Sequence, residues 1–204
     1  MENLKFNLQY PLILGSNSPR RKEILQECGL NFTVLPSYIE ENFPEDLSVE
    51  KVPAYLSEKK ADSILPLVNK KSLILCSDTV VIIEGKILNK PENSAEAFQM
   101  LQSLSGKTHQ VITAFCLVLP DGKKIIESDS TFVQVKDLAK WEIEFYIKQR
   151  KGMDKAGAYG IQDFFGMVGI KKLEGSYYTV MGLPIDRIFK YLSPYILEAN
   201  QLSL

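Results

Sequence analysis

Short apolar runs alternate along the chain with stretches in which apolar residues recur every three or four positions. The first run, Leu12–Leu14, ends at the polar residues 15–18 and indicates a buried strand followed by a tight turn. A helix should follow, because Pro19 suits a first helical position, Ser18 is a suitable N-cap and Gly29 is a good terminator. The chain is therefore predicted to begin as a strand–turn–helix unit.

Two more helices and a divided strand are predicted next. Apolar spacing indicates a helix over about residues 53–65. Residues 73–76 form a second buried run, which the polar residues 77–79 interrupt before it resumes at residues 80–83. A third helix follows, with Ser94 as its N-cap. The interruption would place polar side chains at the carboxyl end of a buried strand.

The second half of the chain begins with a hairpin. Residues 111–119 and 125–135 have β-like patterns and flank Pro-Asp-Gly-Lys at 120–123, which is a strong turn signal. Helices are expected over about residues 138–149 and from Pro184 onward. Strands and helices thus continue to alternate.

Residues 152–182 carry many of the chain's glycines, and we expect them to form loops around a site. No repeat, low-complexity tract or linker divides the sequence, so residues 1–204 are predicted to form one domain. The alternation of strands and helices favours an α/β fold with a mixed β-sheet flanked by helices.

Composition and charge narrow the function classes. A formal net charge of -1 is no signature of nucleic-acid binding, so an anionic substrate must be held by a local cluster of cations. The cysteines Cys28, Cys76 and Cys116 are far apart, which indicates buried thiols in a reducing compartment. No apolar stretch suits a membrane helix or a signal peptide, and we therefore expect a cytoplasmic protein without a membrane partner.

The first candidate site is the turn and helix start at residues 15–21. Such a junction exposes free backbone N–H groups and the positive end of the helix dipole, both of which suit a phosphate. Arg20 and Arg21 fall in the first helical turn, where acidic side chains are preferred. The structural interpretation is a capped helix with two solvated arginines, but the misplaced charge favours anion binding.

The second candidate is Asp78, between two apolar β-like runs. A carboxylate at the carboxyl end of a strand lies where open α/β sheets place ligands. Burying a lone carboxylate is costly unless a metal, a cation or a hydrogen-bond donor compensates it. An exposed turn is the structural alternative, but the neighbours Ser77 and Thr79 are not the glycine or proline that turns favour. A functional carboxylate is the better interpretation.

Several polar residues have both a structural and a functional interpretation. Lys60 falls on an inward helical stripe, where it either snorkels to solvent or binds an anion. Lys90 lies in a loop and faces either a phosphate or solvent, and Lys155 either binds a ligand or pairs with its acidic neighbour. The Gln162 amide could pair with a base edge. His109 lacks an accompanying nucleophile motif and is taken as structural.

Aromatic residues offer no separate site. Trp141, Phe164 and Phe165 are expected to serve packing and not to stack on a base.

Five motifs occur in the order seen in Maf proteins. They are SNSPRR at 16–21, SDTVV at 77–81, KP at 90–91, DKAGAYGIQ at 154–162 and GSYYTVMGLP at 175–184. Each motif alone would be weak, but the ordered set extends over about residues 12–195, which makes chance a poor explanation. The sequence therefore resembles the Maf family.

The resemblance implies a fold and an activity. The fold would be an elongated single α/β domain with a central cleft, related to the inosine triphosphatases. The activity would be that of a house-cleaning hydrolase, a pyrophosphatase that uses a divalent metal cation, Mg²⁺ or Mn²⁺, to convert a nucleoside triphosphate to the monophosphate and pyrophosphate. Gln162 resembles the branch that hydrolyses dTTP and UTP, since the 7-methyl-GTP branch has a glutamate there.

The resemblance also assigns residue roles. Asp78 matches the catalytic base and would hold the metal together with Glu41. The other matched positions would bind the substrate; they are Ser16, Arg20, Arg21, Lys60, Thr79, Lys90 and Gln162. The sequence departs from the family pattern at Asn89, where glycine is usual, and at Glu40, where aspartate is commoner. Neither departure removes a charge.

The main alternative is a nucleotide-binding regulator of cell division or septum formation without significant turnover. An RNA-binding module is disfavoured because the sequence has no basic stripe. The expected partner is thus a nucleoside triphosphate and no nucleic acid, while the sequence leaves a homodimer open.

Overall fold

Seven strands form one mixed sheet in the computed structural model, which describes residues 5–68 and 71–197. The strands are β1 (Leu12–Leu14), β2 (Thr33–Val34), β3 (Leu73–Ile83), β4 (Lys86–Leu88), β5 (Thr108–Val118), β6 (Lys124–Val135) and β7 (Ile170–Glu174). Their order is β2-β1-β3-β5-β6-β7, and β4 pairs with β3 outside this path. β1 runs parallel to β2 and β3, whereas the other pairs are antiparallel. The predicted mixed sheet is confirmed.

Helices flank the sheet, as the alternating pattern predicts. They are α1 (Pro19–Glu27), α2 (Val52–Ile64), α3 (Ser94–Leu104), α4 (Lys140–Lys148), α5 (Phe164–Gly169), α6 (Tyr177–Met181) and α7 (Ile185–Leu192), with short 3-10 turns at Val49–Lys51, Leu65–Leu67, Ala156–Ala158 and Ser193–Tyr195. The helices predicted near residues 53–65 and 138–149 are confirmed to within about two residues, which is the usual uncertainty at helix ends. The ends of the predicted single domain, residues 1–4 and 198–204, lie outside the described residues.

The predicted break in the third strand is wrong. Residues 77–79 continue β3 without interruption and pair in register with residues 113–115 of β5. The backbone N–H and C=O groups of these residues pair in the ladder, so their polar side chains do not interrupt the strand. Asp78 consequently lies in the middle of an 11-residue strand and not at its carboxyl end.

Two further predictions need correction. The N-cap of α3 is Asn93 and not Ser94, because the Asn93 side-chain oxygen accepts from the amides of Ala95 and Glu96, both at 3.0 Å. Residues 152–182 are not only loops, since they contain α5, α6 and strand β7, whose backbone pairs with β6.

The aromatic residues divide between the core and the surface. Phe165 is buried as expected, in an apolar cluster beneath α3 and α4. Trp141 is 63% exposed on α4, so it contributes little to packing. Cys76 and Cys116 are buried opposite each other on β3 and β5, and Cys28 is half-buried.

A second apolar cluster joins β1, α1 and α7. It lies on the same face of the sheet as the first, because both clusters take odd-numbered residues of β3 and β5. Among the described residues, no helix is both long enough and apolar enough to cross a membrane.

Candidate active site

A cleft of about 670 Å³ opens over the middle of β3. Its walls come from the β1–α1 turn, the segment after β4, and residues 154–161 and 180–182. The predicted site residues that line it are Ser16, Arg20, Arg21, Glu41, Lys60, Asp78, Thr79 and Lys90. The fold thus brings together eight residues that are spread over 75 positions of the sequence, from 16 to 90.

The β1–α1 turn approaches the rest of the sheet too closely for a side chain at Gly15. A Cβ atom there would collide with the Sγ atom of Cys76 and the Cδ1 atom of Ile64. Next to it, the buried Ser16 accepts a hydrogen bond at 3.1 Å from the amide of Ser18. Ser18 occupies the N-cap position of α1, but its own side chain makes no capping bond. The turn is therefore shaped by Gly15 and Ser16.

Arg21 is held by four acceptors of the protein itself. Its Nη1 atom donates to the Ser77 carbonyl at 2.7 Å and to Ser16 Oγ at 3.2 Å. Its Nε atom donates to the Gly182 carbonyl at 2.8 Å, and its Nη2 atom donates to Thr79 Oγ1 at 3.2 Å. Loss of solvation lowers the pKa of the Arg21 guanidinium, and nearby Asp78 opposes that change. Arg21 thus joins the turn, β3 and the segment after α6.

Lys60 joins the two acidic residues of the site. Its Nζ atom lies 2.5 Å from Asp78 Oδ1 and 2.7 Å from Glu41 Oε1. Lys60 and Asp78 are both buried, whereas half of the Glu41 side chain is exposed. Of the two interpretations of Lys60, contact with anionic groups is correct, and these groups are carboxylates of the protein.

Opposing effects set the protonation of the two carboxylates. Burial raises the pKa of Asp78 above the ordinary aspartate value, and the Lys60 ammonium counteracts that rise. At Glu41, desolvation is outweighed by the hydrogen bond and charge of Lys60, so the pKa of Glu41 is lowered. A charged Lys60 between two carboxylates favours the ionised form of both.

A divalent metal fits this pair only with help from a ligand. No group of three or more His, Cys, Asp or Glu side chains suited to a metal is found in residues 5–68 and 71–197. Mg²⁺ is commonly held by one or two carboxylates together with substrate phosphates. Asp78 and Glu41 meet that requirement, and the Lys60 ammonium between them shows that positive charge is favoured there.

Further cations lie along the cleft. Arg20 donates from Nε to the Met181 carbonyl at 3.3 Å, and its Nη1 atom lies 3.7 Å from Asp154 Oδ2. That Nη1 atom is buried and has no hydrogen-bond acceptor among the described residues. Lys90 is exposed, and the carbonyl of the preceding Asn89 accepts from the Gly157 amide at 3.1 Å. Both cations therefore retain donors for a ligand.

Lys155 belongs to an ion-pair network beside the cleft. Its Nζ atom lies 2.7 Å from Asp154 Oδ1 and 3.7 Å from Asp163 Oδ2. Asp163 also accepts from the hydroxyl of Tyr146 at 2.8 Å. The network fixes the loop that carries the 154–162 motif.

Gln162 is the predicted site residue that does not line the cleft. Its Nε2 atom donates to Glu23 Oε2 on α1 at 3.0 Å, while its neighbour Ile161 does line the cleft. His109 is buried on β5, and its Nε2 atom lies 2.7 Å from the Tyr159 hydroxyl. Burial lowers the pKa of His109 to about 4, so the ring is neutral and structural.

Sequence reasoning missed two threonines behind the site. Thr113 on β5 and Thr179 on α6 are fully buried and connect to Thr79 by hydrogen bonds. No local signal marks them, because their role depends on the register between β3 and β5.

Comparisons with known proteins agree with these motifs. The family model described as "Maf-like protein" matches residues 11–195. A dTTP/UTP pyrophosphatase of Bacteroides thetaiotaomicron is 42% identical over 89% of this chain and 94% of its own length. The dTTP/UTP pyrophosphatase of Phocaeicola vulgatus is 43% identical over 94% of this chain and 98% of its own length. That of Porphyromonas gingivalis is 40% identical over 96% of this chain and 98% of its own length.

A solved structure of a nucleoside-triphosphatase / dITP/XTP pyrophosphatase from Mycobacterium abscessus is 14% identical and aligns with 63% of this chain and 75% of its own. Its TM-score of 0.36 is too low to support the expected relation to inosine triphosphatases. The family match and the three relatives do not depend on that likeness. The chain belongs to the Maf family.

Proposed function

We propose that this protein hydrolyses dTTP and UTP to the corresponding monophosphate and pyrophosphate. The observation that carries the proposal is the pair of carboxylates, Asp78 and Glu41, joined by Lys60 inside a cleft with further cations. Hydrolysis of a triphosphate requires a base for the attacking water and positive charge around the phosphates. The names of the three relatives support the choice of these two substrates.

Asp78 is proposed as the general base. It would take a proton from a water molecule that attacks the α-phosphorus. The bond from that phosphorus to the bridging oxygen would break, and pyrophosphate would leave with the electron pair. Lys60, at 2.5 Å, opposes the burial that raises the pKa of Asp78 and so favours the ionised carboxylate, the form that accepts the proton.

Arg20 and Lys90 are proposed to neutralise the triphosphate, which carries about four negative charges at neutral pH. Arg20 retains an Nη1 donor without a hydrogen-bond acceptor among the described residues, and Lys90 is exposed at the cleft. Ser16 and Arg21 would shape the turn that receives a phosphate. A Mg²⁺ or Mn²⁺ ion held by Asp78 and Glu41 would neutralise phosphate charge and lower the pKa of the attacking water.

The proposal predicts a defined pattern in a nucleotide panel. Purified protein is incubated with dTTP, UTP, CTP, GTP and 7-methyl-GTP in the presence of Mg²⁺ or Mn²⁺, and pyrophosphate release is measured by a coupled assay. We expect the largest kcat/KM for dTTP and UTP, and loss of turnover with EDTA. Binding without pyrophosphate release would instead favour the nucleotide-binding regulator, which the names of the relatives do not support.

Gln162 is proposed to contribute to base choice. One hydrogen of its amide nitrogen is used by Glu23, which leaves the second for a pyrimidine carbonyl. Gln162→Glu removes both hydrogens and places a second carboxylate beside that of Glu23. The stabilisation of the transition state for dTTP and UTP, measured by kcat/KM, should therefore fall by about 1–3 kcal/mol.

The matched control is Gln102→Glu, on an exposed position of α3 outside the cleft. It adds the same charge and should leave the nucleotide ranking unchanged. An unchanged ranking in Gln162→Glu as well would contradict the role of Gln162 but not the pyrophosphatase activity.

A further inference from the structure

A series of hydrogen bonds runs from the cleft across the sheet. Thr79, which lines the cleft, lies 2.9 Å from Thr113, measured between the two Oγ1 atoms. Thr113 Oγ1 in turn donates to the Thr179 carbonyl at 2.6 Å. Thr113 and Thr179 both have 0% exposure, so the bond between them is shielded from solvent.

The direction of each bond follows from the number of hydrogens. A hydroxyl has one hydrogen to donate and two lone pairs to accept with, whereas a carbonyl oxygen can only accept. The single hydrogen of Thr113 is therefore used on the Thr179 carbonyl. In the contact between Thr113 and Thr79, the donor must be Thr79.

This assignment leaves Thr79 without a hydrogen for the cleft. Its hydroxyl hydrogen points to Thr113, and one of its lone pairs accepts from Arg21 Nη2 at 3.2 Å. One lone pair remains. Toward a bound ligand Thr79 can consequently act only as an acceptor.

The far end of this series of hydrogen bonds is fixed by further contacts of Thr179. The Thr179 carbonyl also accepts from the Gly182 amide at 3.1 Å. The Thr179 hydroxyl donates to Asp129 on β6, and Asp129 is paired with Arg187 at 2.7 Å. Because both the carbonyl and the hydroxyl of Thr179 are hydrogen-bonded, the acceptor offered to Thr113 stays in place.

We propose that Thr113 is a positioning residue that fixes Thr79 as an acceptor and thereby favours nucleobases with an N3–H donor. This inference rests on the proposed hydrolysis of dTTP and UTP. Thymine and uracil carry a hydrogen on N3, whereas the N3 atom of cytosine is itself an acceptor. An acceptor that cannot become a donor therefore binds thymine and uracil and repels cytosine.

Phosphate is a poor alternative ligand for Thr79. Phosphate oxygens are acceptors, so they cannot donate to the lone pair that Thr79 retains. The sugar 3′-hydroxyl is a donor, and the experiment below separates it from N3–H.

The test compares UTP with CTP in Thr113→Val. Valine has a similar shape but cannot accept the Thr79 hydrogen, so the Thr79 hydroxyl becomes free to donate into the cleft. We expect the ratio of kcat/KM for UTP to that for CTP to fall about tenfold. Thr113→Ser retains a hydroxyl and should keep the wild-type ratio. If Thr113 had a purely structural role, kcat/KM would fall equally for UTP and CTP and their ratio would not change. This outcome would overturn the inference.

Wild-type protein provides a measurement that does not depend on the stability of a variant. UTP methylated at N3 should lose at least tenfold in kcat/KM relative to UTP, whereas 3′-deoxy-TTP should be hydrolysed about as well as dTTP. Normal hydrolysis of N3-methylated UTP together with poor hydrolysis of 3′-deoxy-TTP would show that Thr79 accepts from the sugar, and it would overturn the inference. Failure of wild-type protein to hydrolyse UTP and dTTP would contradict the proposed function itself, which separates the two cases.

Discussion

Asp78→Asn should reduce kcat for dTTP by on the order of 10²-fold or more. The amide has the shape of the carboxylate, but it cannot accept a proton and contributes no charge to a metal. Lys60 keeps Glu41 as a partner at 2.7 Å, so its ammonium is not left unpaired and the variant should fold. The measurement is steady-state pyrophosphate release, with folding checked by circular dichroism.

Asp121→Asn is the matched control for this change. Asp121 is exposed in the turn between β5 and β6, and its side-chain oxygen accepts from the Lys123 amide, a bond that asparagine can also accept. We expect wild-type kcat. A folded Asp78→Asn protein with near-normal kcat would remove Asp78 from the reaction.

Arg21→Ala should lower the free energy of unfolding by about 3 kcal/mol, because carbonyls and hydroxyls that Arg21 now satisfies would lose a charged donor. Four such acceptors surround it, and those of Ser16, Ser77 and Gly182 belong to buried residues. Arg21 is therefore expected to stabilise the fold as well as the phosphate site. Urea denaturation measures the loss of stability, and kcat/KM should fall with it.

Lys90→Ala provides the contrast. Lys90 is exposed beside the cleft, so its removal should change the free energy of unfolding by less than about 0.5 kcal/mol. Its positive charge would still be missing from the phosphate site, and kcat/KM should fall. Equal stability of Arg21→Ala and Lys90→Ala would contradict the structural role of Arg21, and wild-type kcat/KM in both would place the phosphate site elsewhere.

Local patterns in the sequence were sufficient for most of the helices and strands. Glycine and proline terminate elements through their own backbone restrictions, and helical spacing identifies the buried face of α2 without knowledge of its partner. The hairpin of β5 and β6 was predictable for the same reason, since its turn at 120–123 carries its own signal. The unbroken course of β3 was not predictable, because residues 77–79 are polar and become a strand only by pairing with β5.

The ordered motifs also identified most of the side chains that meet in the cleft. What the sequence could not determine is how these side chains are partnered. From the pattern alone, snorkelling to solvent was the commoner interpretation of Lys60 and contact with an anion was the other. The packing of α2 against β3 places Lys60 between two carboxylates. Gln162 carries the motif but faces Glu23, which is 139 positions away in the sequence.

The sequence by itself determined most of the element types, the family resemblance and the kinds of chemical groups available for catalysis. Tertiary structure alone decided which donor meets which acceptor. Thr113 shows the physical reason: its place behind Thr79 results from the β3–β5 register, and its hydrogen is committed by a carbonyl on α6. Hydrogen bonds depend on distances of a few ångströms between residues far apart in the chain, and no local pattern encodes those distances.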